Sequence, residues 1–79
     1  MTMMVDAKRS AGHVTGMSNV TFDLLTILEN KLQGIAAMEE YKIDCRDEGD
    51  TMALELIERL QRIASEDVSQ LRDLLRERI

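Results

Sequence analysis

The stretch Asp50–Ile79, DTMALELIERLQRIASEDVSQLRDLLRERI, decides the fold of this chain. It contains no Gly or Pro, and an apolar residue returns every third or fourth position. Ala53, Ile57, Leu60, Ala64, Val68, Leu71 and Leu75 fall on one stripe of a helix with about 3.6 residues per turn, and Leu56, Ile63 and Leu74 flank it. Charged side chains fill the opposite side. A helix of this kind draws most of its stability from packing, so the stripe must lie on a partner.

The partner lies just upstream. Thr21 is a suitable N-cap, Asp23 suits the positive end of a helix dipole, and Val20 and Leu25 can close as a hydrophobic staple. An apolar stripe follows through Leu25, Leu28, Leu32, Ile35, Ala36 and Ile43, with Leu24 and Met38 beside it. Gly34 interrupts this helix away from the centre of the stripe, where it lets a second surface come close. Gly49 is a natural left-handed stop, and Asp50 or Thr51 caps the next helix. So short a connection makes the two helices antiparallel neighbours. On the second helix, Glu55–Arg59 and Glu58–Arg62 are spaced to pair across one turn on a solvated face.

The expected organisation is a flexible extension over residues 1–18 and a helical hairpin over 19–79, with helix one at about 21–48 and helix two at about 51–79. Met17 is a candidate second translation start. The extension shows no hydrophobic period, and the only histidine, His13, lies in it without a second ligand at helical spacing. Leu24, Met38, Leu56, Ile63 and Leu74 lie to one side of the seam and widen the apolar face beyond what one partner helix covers. The expected architecture is therefore all-α, an antiparallel two-helix hairpin pairing into a four-helix bundle. The shared core and dimer face would be built on Leu28, Leu32, Ile35, Ile57, Leu60, Ala64 and Leu71.

Composition narrows the function. A chain of 79 residues is one small domain at most, and small domains need a staple. Cys45 is the only cysteine, so no intrachain disulfide is available, and self-association is the expected staple. A homodimer or higher homo-oligomer follows, with a protein partner as a further option. The net charge of −5, with basic residues interleaved among acidic ones, offers no stripe for nucleic acid. No apolar run is long enough to span a membrane, and Asp6, Lys8 and Arg9 stand where a signal peptide needs an apolar core. The expectation is a soluble, cytoplasmic chain. One Phe, one Tyr and no Trp leave little material for a small-molecule pocket. No spacing brings a nucleophile to a base, so no enzymatic activity and no cofactor are expected.

The order of S-N-V-T-F-D-L-L (18–25), L-Q-G (32–34), E-Y-K-I-D-C-R-D-E-G-D (40–50), E-D (66–67) and L-R-D-L-L (71–75) resembles a group of short bacterial helical-hairpin proteins that commonly open with Met-Ser-Asn-Val-Thr. The resemblance covers Met17 to Ile79 and leaves residues 1–16 outside it. More distantly, such hairpins look like one half of a ferritin-like four-helix bundle. That likeness implies the fold and the pairing of hairpins. An iron-binding half would carry a Glu in its first helix and Glu-x-x-His in its second. Here the second-helix place reads Asp67-Val68-Ser69-Gln70, and Gln70 replaces the imidazole. In the first helix Glu29, Lys31, Gln33 and Glu39 are all near the expected level.

Glu39 and Asp67 are the candidate metal residues, because on the helical wheel both fall within the apolar arc. A carboxylate there must be paired, hydrogen-bonded or metal-bound. One reading is an iron or other divalent-cation site built across a dimer. The other is a polar contact with Lys42, Arg46 or Tyr41 that fixes register. Three functions are weighed: a non-enzymatic structural or interaction protein that self-associates through its apolar face, a carboxylate metal-binding protein, and a regulatory adaptor that docks a partner's helix.

Overall fold

The computed structural model describes residues 13–79. The expected flexibility of the extension falls largely on residues 1–12, outside the described part. Residues 13–15 have helical backbone, and Gly16, at φ 76°, separates them from the first long helix. Among the described residues two long helices make the fold: α1, Asn19–Glu48, and α2, Thr51–Arg76. They pack on each other as an antiparallel hairpin, and the described residues form no strand.

Helix α1 starts two residues before Thr21, because Ser18 caps it instead. The Ser18 Oγ accepts from the Thr21 backbone N–H at 3.1 Å and donates to the Thr21 Oγ1 at 2.9 Å. Thr21 is therefore a buried residue of the first turn rather than the cap. A serine satisfies the same orphan donor as well as threonine does, so the cap residue is decided by which hydroxyl lies outside the packed surface.

At the turn, Gly49 adopts φ 68° and its N–H donates to the Arg46 carbonyl at 3.1 Å. The Asp50 N–H donates to the Cys45 carbonyl at 2.9 Å. These two bonds close a Schellman-type stop on α1. Asp50 then caps α2, its Oδ1 accepting from the Ala53 N–H at 3.0 Å. Helix α2 ends at Arg76, three residues before the expected limit, where Arg78 and Ile79 donate to the Leu75 carbonyl.

The seam between the helices follows a step of three, then four, residues. On α1 it runs Thr21, Leu24, Leu28, Lys31, Ile35, Met38, Lys42 and Cys45; on α2 it runs Leu54, Ile57, Gln61, Ala64, Val68, Leu71 and Leu75. Every one of these side chains is buried or half-buried. This is a repeat of about 3.5 residues, the period of a left-handed coiled pair. A wheel drawn at about 3.6 residues per turn drifts by roughly 20° per heptad against it. That drift corrects the expected stripes. Leu32, Ala36, Ile43 and Leu60 lie outside the seam and are exposed, whereas Lys31, Lys42 and Gln61 lie within it. Leu28, Ile35, Ile57, Ala64 and Leu71 sit in the seam as expected.

The resulting core is thin. Ala64 and Leu75 are the only buried hydrophobic residues among those described, and no large side chain is fully buried. Gly34 stands in mid-helix at an ordinary helical φ, and a Cβ built on it meets nothing within 4 Å. A mid-helix glycine costs about 1 kcal/mol against alanine, and no contact within the protomer requires it.

Two stability changes follow. Gly49→Ala should lower unfolding stability by about 1–2 kcal/mol, because alanine must then adopt a left-handed backbone. Gly34→Ala should raise the helical stability of the isolated protomer by up to about 1 kcal/mol. Urea unfolding followed by circular dichroism reads both.

Candidate functional site

Two polar layers interrupt the seam. In the first, Lys31 on α1 meets Asp67 on α2, Nζ to Oδ2 at 3.0 Å, with both side chains 40% exposed. At that exposure, water screens the pair, and its contribution is of the order of 1 kcal/mol or less. In the second, Lys42 extends its ammonium into the seam and is only 13% exposed. Its Nζ donates to the Gln61 Oε1 at 2.9 Å and pairs with the Glu39 carboxylate at 2.6 Å. The Gln61 Nε2 donates to the Ile35 carbonyl at 3.2 Å and to the Glu39 Oε2. Gln61 thus uses its whole amide, and no buried side-chain nitrogen or oxygen among the described residues lacks a partner.

The two candidate carboxylates end in different places. Glu39 is not on the core face; its side chain is 61% exposed and leans over the edge of the seam to reach Lys42 and Gln61. Asp67 is half-buried and held by Lys31. The structure does not bring the two together within one hairpin; each belongs to its own polar layer. Hydrogen bonds from Lys42 and then Gln61 hold the Glu39 carboxyl below its ordinary 4.5.

The donor set of one protomer does not fit a metal centre of the ferritin-like kind. Both carboxylates already carry an ammonium, and Gln70 lines the same open groove as Lys31 and Asp67 without an imidazole nearby. Among the described residues no group of three or more His, Cys, Asp or Glu side chains converges. Tyr41 is half-exposed, Cys45 is a half-buried free thiol beside the turn, and His13 is exposed. Glu55–Arg59 and Glu58–Arg62 do not close; the ion pair at helical spacing near the open end is Asp73–Arg76, at 3.4 Å.

The more prominent surface is apolar. Val20, Ile27 and Tyr41 on α1 and Leu56, Leu60, Ile63 and Leu74 on α2 are between 42% and 56% exposed. Ile27 and Leu74 line one open groove of about 340 Å³ together with Lys31, Asp67, Gln70 and Leu71, so they share a face of the hairpin. Steps of seven residues carry that face along α1 through Val20, Ile27, Gly34 and Tyr41, and along α2 through Ala53, Leu60, Asp67 and Leu74. Leu56 and Ile63 border it on the outer side of α2. The sequence signal for this face is the flanking row Leu56, Ile63 and Leu74; Ile27 is not part of it, because it counts as a seam neighbour only at the shorter period. No helix among the described residues is long and apolar enough to cross a membrane.

The electrostatics of the second polar layer are open to a direct check. Because the folded Glu39 carboxyl lies below its ordinary 4.5, its contribution to stability is present above that value and is lost as pH falls through the folded one. Carbon-detected NMR titration should show Glu39 ionising below its own ordinary 4.5, and Lys42→Met should return it toward that value. Comparison of the chain with protein-family models, with curated proteins and with solved structures finds no match.

Proposed function

We propose that the chain is a non-enzymatic, self-associating structural or interaction protein. Its working surface is the apolar face of the hairpin. The observation that carries this reading is the row of half-exposed leucine and isoleucine side chains beside a core with only two buried hydrophobic residues among those described. A domain this small buries too little of its own surface to be robust, and a second apolar surface supplies what is missing. Two hairpins face to face would form a four-helix bundle, the pairing that the resemblance to half of a ferritin-like bundle implies. The metal-binding alternative, a site shared across a dimer, would have to displace the lysine that each of Glu39 and Asp67 holds within its own protomer.

The size of the face matches the requirement. An α2 of 26 residues is about 39 Å long, and two helices side by side are about 20 Å across. The flat face is thus of the order of 800 Å², the area each partner contributes to a standard interface. The face also carries little net charge, since its one ammonium and one carboxylate, Lys31 and Asp67, are paired. An acidic protein meets a copy of itself best where its charge is lowest.

Light scattering should give a particle of at least twice the 9.0 kDa protomer mass at micromolar concentration. Leu60→Asp and Leu74→Glu, both at half-exposed positions on the face, should each shift the protein toward the protomer mass. A wild-type protein that stays a single, cooperatively folded copy at every concentration would remove this proposal.

A further inference from the structure

We infer that two copies pair end for end, turn against open end, about a two-fold axis that crosses α1 at Gly34. This rests on the self-association proposed above and specifies its geometry. Three observations point to it.

The first is Gly34 itself. It lies on the apolar face, near the middle of α1, with a normal helical backbone and open space where a Cβ would stand. Nothing in the protomer needs a glycine there, so the helix bears its propensity cost for a neighbour outside the protomer. A glycine on the line of contact lets another helix backbone approach more closely than any other residue would.

The second is the placement of the large side chains. Ile27 lies seven residues before Gly34 and Tyr41 seven after, on the same line of the helix, and both are half-exposed. A two-fold axis through Gly34 lays α1 antiparallel on the partner copy's α1. Ile27 of each copy then meets Tyr41 of the other, while the two glycines meet at the axis. The apolar contacts are satisfied twice by one symmetric arrangement.

The third is charge. Residues 35–64, the half of the hairpin between Gly34 and the turn, hold eight acidic and four basic side chains, a net −4. Residues 18–34 and 65–79, the open half, hold six acidic and four basic, a net −2. Pairing turn against turn would stack the two more acidic halves. Pairing end for end sets each of them against a less acidic one, the arrangement of lower repulsion.

The test is cysteine cross-linking in a Cys45→Ser background, with full-length protein and mild oxidant. Ile27→Cys/Tyr41→Cys should give a covalent dimer on non-reducing gels. Each single variant should not, because like residues then lie about 21 Å apart along the axis, beyond disulfide reach. Separately, Gly34→Gln should weaken association by about tenfold or more, read by light scattering across a dilution series, with no loss of helicity. A dimer by mass whose double variant fails to cross-link overturns this axis and leaves the self-association standing. So does a single variant that cross-links as well as the double, or a Gly34→Gln protein that associates as tightly as the parent. A monomer at all concentrations removes both proposals.

Discussion

The packing of α1 on α2 has to pass through two polar layers, and the rest of the molecule is arranged around that constraint. Lys31, Lys42 and Gln61 occupy positions that leucine would fill in a simple coiled pair, and Asp67 and Glu39 reach them from the edges of the seam. Each layer gives up apolar burial and gains a register mark. Shifting α2 by one heptad would bring Leu54 or Val68 to the ammonium of Lys42 in place of Gln61. A nearly buried ammonium facing an aliphatic side chain keeps Glu39 on its own helix but loses the Gln61 oxygen, and an ammonium donor left without its acceptor costs more than a lost van der Waals contact. The hairpin is thus specified by a few polar contacts more than by the mass of its core.

That choice has a consequence for the outer surface. Hydrophobic side chains are present in number, but many stand beside the seam instead of in it. Leu60, Leu74 and Ile27 each stand three residues after a seam residue and form a second stripe, offset to one face. A helix with two adjacent apolar stripes is suited to two neighbours, and the hairpin supplies only one. The mid-face Gly34, unexplained within the protomer, belongs to the same surface.

The hairpin itself was legible in the sequence. The unbroken α2 pattern, Gly49 as a stop and Asp50 as a cap all have local causes, and local causes are visible in sequence. The start of α1 was less so, because Ser18 and Thr21 are both good caps and only packing separates them. The seam was misread where lysine and glutamine occupy it. A polar residue in an apolar row reads as an interruption on a wheel, and only the alternating three-and-four step reveals that Lys31, Lys42 and Gln61 continue the row. Glu39 was read as a core carboxylate for the same reason: a small error in period, accumulated over α1, rotated it onto the wrong side. Its link to Lys42 is legible from spacing along one helix; the bond from Gln61 requires the register of the two helices.

The turn carries a final implication, for how copies of this chain can exchange material. Between the helices stand only Gly49 and Asp50, one closing α1 and the other opening α2. Opening the hairpin into a continuous rod, so that two chains trade their second halves, would force Gly49 into a helix interior and strip Asp50 of its capping bond. Those two changes together oppose the swapped form by about 2 kcal/mol per chain before any packing is compared. The elbow therefore keeps each protomer folded on itself, so assembly adds whole hairpins instead of trading arms.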